Sequence, residues 1–192
     1  MAVIGMRHLV VATIKTETDN QAITYNAGKV MGHAVRGNVT INRSDNPLYG
    51  DDRVVDNDNG VTGYELDIAT TNISDEVEAY ALGMEAGENG EYELTDTPAP
   101  YCGVGYVKVE RSDGVTRYKA IWYHKVQLSR NGDETETKGE NIDWKTPSLT
   151  GTGMGVNNSS DGKIHFWGYT SFDTPAAAEA WLDTKAGIAS GG

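Results

Sequence analysis

Alternation of apolar and polar residues over short segments dominates this chain, and it predicts strands more often than helices. The run His8-Leu9-Val10-Val11-Ala12-Thr13-Ile14 reads as a first strand, followed by a polar turn over 15–21. Segments 25–31 and 34–42 are strand candidates. In the second, Val35, Val39 and Ile41 stand apart from Arg36, Asn38 and Thr40, and Gly37 weakens the period. Segment 61–70 puts Tyr64, Leu66 and Ile68 on one face and Glu65, Asp67 and Ala69 on the other. The clearest hairpin covers 101–130 and turns at Ser112-Asp113-Gly114. In its second strand Tyr118, Ala120, Trp122, His124, Val126 and Leu128 are expected on one face, with Lys119, Ile121, Tyr123, Lys125 and Gln127 on the other. A further pair of strands is expected around 138–150 and 163–169, separated by a Gly151-Thr-Gly-Met-Gly loop and the polar segment 157–162.

Two helices punctuate this pattern. Over 74–83, Ser74 is a natural N-cap, Asp75 and Glu76 suit the helix dipole, and Gly83 supplies the stop. Val77, Tyr80, Ala81 and Met84 form its expected apolar stripe. Over 174–187, Thr174 caps, Pro175 sits at the first helical position, Ala178, Trp181 and Leu182 face inward, and Gly187 with Ile188 closes the end. Segment 85–100, rich in acids, Gly and Pro, reads as an excursion, and 189–192 as a linker or tail.

The stretch over 43–61 resembles neither of the strands that flank it. Pro47, Gly50 and Asp56-Asn-Asp-Asn-Gly60 are turn and breaker residues. A long loop without secondary structure of its own usually binds something or is disordered. Leu48, Tyr49, Val54 and Val55 argue for binding, since a solvated linker has no use for them. The expectation is an extended arm that orders on a neighbouring subunit, against a floppy hairpin tip as the alternative.

Composition fits one turn-rich β domain over 1–188: 192 residues, 38% hydrophobic, 23 glycines, mean hydropathy −0.49. The start lacks a signal-peptide layout and no stretch approaches a membrane span, so a cytoplasmic setting without membrane partners is the default expectation. Net charge is −12. Between Asp45 and Asp96 stand fifteen acids against Arg53 alone, so this third holds the entire excess. Binding duplex DNA through its phosphates needs the opposite sign. The hairpin over 101–130 carries six bases against two acids and is the natural partner for the acidic third. Lys108, Arg111, Arg117 and Lys119 form the candidate basic face.

Catalytic chemistry finds little support, and neither an enzyme nor a cofactor is expected. Cys102, the single cysteine, lies inside a predicted strand, where a buried inert thiol is the ordinary role. His8, His33, His124 and His165 lack metal-ligand spacing. An EF-hand register with Gly60 at its sixth position fails, because Val55 and Leu66 fall where Asp and Glu are required. Glu134, Glu136 and Glu140 make an unspecific set of glycosidase acids. No metal site is expected.

Taken together and in order, several segments resemble the major tail proteins of long-tailed, non-contractile bacteriophages, the subunits of the tail tube. They are the opening strand over 5–14, Asn46-Pro-Leu-Tyr-Gly-Asp-Asp with Asp58-Asn-Gly, Ser74-Asp-Glu-Val, Tyr101-Cys-Gly-Val-Gly-Tyr-Val and Ala120-Ile-Trp-Tyr-His-Lys-Val. Thr137-Lys-Gly-Glu, Trp144-Lys-Thr-Pro-Ser-Leu-Thr-Gly and Phe172-Asp-Thr-Pro-Ala-Ala-Ala-Glu-Ala-Trp-Leu complete the set. The resemblance implies a mostly β (α+β) fold: a β-sandwich or half-barrel with one or two flanking helices and an arm. It also implies hexameric rings stacked into a hollow tube in the virion, assembled in a host cytoplasm with a tape-measure protein and tail completion or terminator proteins. DNA passes through the lumen without specific binding. In that setting Pro47, Leu48, Tyr49, Asp51, Asp52, Arg53, Val54, Val55, Asp56 and Asp58 are the expected subunit-interface residues. A surface β-sandwich adhesion module is the alternative function.

Overall fold

Asp113 and Gly114 both adopt positive φ, 51° and 81°. They form the two-residue turn that joins strand β10 (Tyr101–Ser112) to β11 (Val115–Arg130). Around this hairpin the computed structural model, which describes residues 2–130, 132 and 146–189, builds a mostly β fold. Before it come β1 (Ala2–Thr16), β2 (Thr24–Tyr25), β3 (Lys29–Val30), β4 (Ala34–Arg43), β5 (Asn46–Gly50), β6 (Arg53–Asp58) and β7 (Val61–Thr70). Helix α1 (Asp75–Leu82) and the short pair β8 (Glu85–Ala86) and β9 (Tyr92–Glu93) follow. After the hairpin come β12 (Ser148–Gly153), β13 (Trp167–Phe172) and α2 (Pro175–Ala186). Glu134, Glu136, Glu140, the 138–145 portion of one predicted strand and residues 190–192 lie outside the described residues.

One large antiparallel sheet runs β2-β1-β10-β11-β12-β7-β4, with β3 on β1 and β13 on β11. It folds on itself as a β-sandwich or half-barrel with flanking helices. Between the β1-β10-β11 and β12-β7 walls lies a core of Leu9, Val11, Val104, Tyr106, Tyr123, Leu128, Leu149, Tyr64, Leu66 and Ile68, joined by Ala81 and Leu82 of α1. Outside the first wall, Val10, Ala12, Val107, Ala120 and Trp122 pack on Ala178, Leu182 and Ala186 of α2. Strand β1 is therefore covered on both faces, which is why its sequence is a continuous apolar run.

A bulge in β11 makes this double burial work. Cys102 pairs with Val126 but Val104 pairs with Tyr123, so His124 and Lys125 together stand opposite Gly103. The expected alternation reverses there: Ala120 and Trp122 face α2, whereas Val126 and Leu128 join Tyr123 in the inner core. The bulge carbonyls are satisfied by remote hydroxyls. Tyr25 donates to the His124 oxygen at 2.8 Å and Tyr64 to the Lys125 oxygen at 3.3 Å. The partner strand changes at the same point, β13 pairing through Tyr123 and β12 from Val126 onward.

Other expectations shift. Segment 25–31 yields only the two-residue pairings β2 and β3, on opposite sides of a bend where Gly28 approaches the Ala186 carbonyl. The second late strand moves from 163–169 to β13, leaving His165 in a single bridge with Val156. Gly151 and Gly153 are not loop residues but lie within β12, because the Val126 and Tyr64 side chains occupy the space above them. In α1 the buried residues are Ala79, Ala81 and Leu82, with Val77, Tyr80 and Met84 half-buried around them, and Ser74 makes no side-chain cap bond. In α2, Thr174 accepts from the Ala177 N–H; Ala178, Leu182 and Ala186 are buried, and Trp181 packs half-buried against the same cluster.

Two outcomes follow from this packing. A Cβ on Gly153 would lie 2.0 Å from the Tyr64 ring, itself held against Tyr123 and Trp167. Gly153→Ala is expected to cost about 1–3 kcal/mol in urea unfolding, whereas Gly168→Ala in β13, with open space above it, stays near neutral. Burial first, then the positive charges of Lys185 and His165, lowers the His124 pKa from 6.5 to about 4. The unfolded chain takes up this proton first, so stability declines as pH falls from about 6.5 to 4, by on the order of 2 kcal/mol. His124→Gln removes that component, read as a flatter pH dependence of the urea midpoint.

Candidate functional site

The segment expected to lack secondary structure is a β-hairpin. Strands β5 and β6 pair from Asn46↔Asp58 to Gly50↔Arg53, and Asp51 and Asp52 make the turn with φ of 51° and 59°. Aspartate tolerates this left-handed region better than most residues, which is what the local sequence uses in place of the usual Asn-Gly. The hairpin prolongs the β4–β7 ladder beyond Arg43↔Val61. Its joint is explicit: the Ser44 N–H donates to the Gly60 carbonyl at 2.8 Å, and the Asp58 carboxylate accepts from the Gly60 N–H at 3.1 Å and the Ser44 hydroxyl at 3.2 Å. Asn57 donates to Asp45 across the two strands at 3.1 Å. Asp58 is therefore a hinge pin of the arm, and Asp51 and Asp52 its turn formers.

This arm stands away from the core. Leu48, Tyr49, Val54 and Val55 are exposed at 62%, 67%, 53% and 60%. Tyr49 and Val54 oppose each other on one face, Leu48 opposes Asp56 on the other, and the register slips at Val55. A two-stranded ribbon with its apolar side chains in water is marginal alone and gains from a partner surface.

The four expected bases do not form one face. Lys108 and Lys119 flank the buried Glu110 at 3.0 and 3.3 Å, and Arg117 pairs with Asp173. Cross-strand pairing puts Lys108, Glu110, Arg117 and Lys119 on one side of the β10–β11 ribbon, while Arg111, next to Glu110 in its strand, projects from the other. Burial opposes ionisation of Glu110, but the two lysines outweigh it and hold its pKa below the usual value. Within the chain the acidic third meets this hairpin through Arg130 and Glu78, at 2.9 Å. The arm and the lysines lie at opposite ends of β4, because Lys108 borders its start and the arm prolongs its end.

A third surface, unrecognised in the sequence, is the outer face of β11-β12-β7-β4. Register lines up two rows across it, Gln127-Thr152-Glu65-Thr40 and Ser129-Thr150-Asp67-Asn38. It is a shallow polar face of hydroxyls, amides and two carboxylates, with Arg36 bidentate on Asp67 at 2.9 and 3.1 Å. Alternation marks each strand's polar side, but only register assembles them into rows.

Elsewhere the chemistry is structural. Cys102 is buried, its thiol pushed up to about 12 by burial, and it donates to the Pro100 carbonyl. His8 meets Asp183 of α2 at 2.7 Å, and His165 meets Asp161 at 3.1 Å. Among the described residues no group of three or more His, Cys, Asp or Glu could hold a metal ion, and no helix is long and apolar enough to cross a membrane. No protein-family model and no curated protein matches this chain.

Replacing Leu48, Tyr49, Val54 and Val55 together by Ser is expected to change the unfolding free energy of the isolated subunit by no more than about 0.5 kcal/mol per site, measured by urea titration of dilute protein. Glu110→Gln leaves two lysines facing each other and is expected to cost about 1 kcal/mol, an effect that shrinks at high salt.

Proposed function

We propose that this chain is the structural subunit of a hollow tube, its copies closing into rings, hexameric as in the phage tail tubes the sequence resembles, that stack into a conduit for genome delivery. The observation that carries this reading is the arm: a jointed hairpin that offers four large apolar side chains to water. A folded chain gains nothing from such a projection unless a second surface covers it.

Two further features support the reading. Among the described residues strand β4 pairs with β7 alone and ends the sheet; its other edge meets β1 at Met6 and Gly37 without a ladder, which leaves its backbone groups to pair with another copy. Ring closure and stacking are both heterologous contacts, which need unlike surfaces on one subunit rather than a single self-complementary patch. The polar rows suit a lumen. Arg36, the base on this face, is already held by Asp67, so DNA sliding past hydroxyls, amides and carboxylates gains little phosphate binding that would hold it. Tape-measure and terminator proteins would then meet the bore and the end of the tube, and the working place would be the virion.

The test reverses the arm's charge. Asp51, Asp52, Asp56 and Asp58 changed together to Lys should yield a folded monomer that forms no tubes in negative-stain microscopy. Normal tubes from that variant would remove the arm from assembly, and an unaltered chain that stays monomeric at every concentration would favour a surface-binding module instead. A second test addresses the lumen. Thr150→Lys with Thr152→Lys should make assembled particles retain duplex DNA at about 50 mM salt and release it by about 200 mM; particles that never retain DNA contradict the placement of these rows.

A further inference from the structure

At the pole opposite the arm, the sandwich does not close. Among the described residues, the first part of β1 pairs with β10 on one side only, and β4 pairs with β7 on one side only. These two edges approach where Gly37 lies under Met6; a Cβ there would meet the Met6 sulfur at 2.8 Å. Between them a cleft of about 470 Å³ opens, walled by Val3, Met6, Val35, Val39 and Ile121, with Lys108 at its rim. Val3 and Val35 are exposed at 55% and 50%. The Tyr106 and Tyr123 rings, stacked with centroids 6.0 Å apart, form its floor.

Cleft and arm are complementary in two respects. Both present apolar side chains to water, Leu48, Tyr49, Val54 and Val55 on the arm and Val3 and Val35 at the cleft. Their charges oppose: the arm from Asp45 to Asp58 carries five aspartates and one arginine, whereas the cleft is lined by Arg36 and Lys108 and by no acid, with Arg36 held by Asp67 and Lys108 sharing Glu110 with the neighbouring Lys119. The two surfaces also sit at opposite ends of β4, the cleft at its start and the hairpin jointed to its end. From Val35 to Tyr49 the chain runs along β4 and into β5, a span on the order of 40 Å at about 3.3 Å per residue. A subunit cannot fill its own cleft with its own arm. A protruding apolar element at one pole and an apolar recess at the other make a head-to-tail contact that propagates along an axis and does not close on itself.

We infer that this cleft receives the Leu48-Tyr49 and Val54-Val55 tip of the arm of a second copy, so that each subunit plugs the open sandwich of the next. The inference rests on the tube reading and deepens it by naming the receiving surface. Bound there, the tip covers the exposed Val3 and Val35 and brings the arm's aspartates to Lys108 and Lys119.

The experiment is a cysteine pair in the full chain. Tyr49→Cys combined with Val35→Cys, exposed to oxidised glutathione, should give a ladder of covalent multimers on a non-reducing gel. Tyr49→Cys with Ile164→Cys, an exposed position away from the cleft, should give about tenfold less; the buried Cys102 stays out of reach. Val35→Glu, at a half-exposed site, should leave the fold intact by circular dichroism and raise the concentration needed for assembly about tenfold or more. If the unmodified chain assembles but the Val35 pair gives no more ladder than the Ile164 pair, the cleft assignment is overturned and the tube reading stands. If the unmodified chain forms no assembly and neither pair gives a ladder, both are overturned.

Discussion

The carbonyls of His124 and Lys125, each held by a tyrosine hydroxyl from a distant part of the chain, are the constraint on which this architecture depends. The bulge they belong to lets one sixteen-residue strand serve two environments. Its first half packs on α2 and pairs with β13; its second half turns its apolar side inward and pairs with β12. Without the slip, Val126 and Leu128 would point away from the inner core, since a shift of one residue exchanges the two faces of a strand. Buried carbonyls without donors would make the bulge costly, so Tyr25 and Tyr64 are part of it. Burial raises both phenols above their ordinary range, Tyr25 to about 12, so both remain donors at neutral pH.

From that junction the rest of the surface follows. Because β12 takes over beside the second half of β11, β7 and β4 are carried round as the opposite wall, and the β4–β7 ladder is left to run past the body as the arm. The same folding leaves the start of β4 facing the start of β1 without a ladder between them. Projection and recess are two ends of a single structural decision. In the proposed tube, that separation would make the contact axial and repeating rather than a closed dimer. The polar rows lie on the outer face of that second wall.

Much of this was legible in the residues. The long hairpin announced itself through alternation and Asp113-Gly114, and both helices through Gly83, Thr174, Pro175 and Gly187, since turns and caps are local chemistry. The inward set Tyr64, Leu66 and Ile68 was legible for the same reason. The bulge was not: the apolar-polar alternation through Trp122, His124, Val126 and Leu128 is unbroken, and the groups that fix the slip come from residues 25 and 64. Gly151 and Gly153 read as a loop because their reason for being small, the side chains of Val126 and Tyr64, is likewise remote. The arm's apolar residues were visible, but its hairpin was hidden by an Asp-Asp turn that carries no strong signal. Among the bases, charge could be counted from composition, whereas the separation of Arg111 from Lys108 and Lys119 required the strand register.

The proposed tube requires that the exposed hairpin make this chain associate with itself. Sedimentation velocity of the purified chain over a hundredfold range of concentration, on the order of 1 to 100 μM, tests it most directly. The 20.7 kDa species is expected to give way to ring-sized and larger particles as concentration rises. A single 20.7 kDa boundary across the whole range would contradict it.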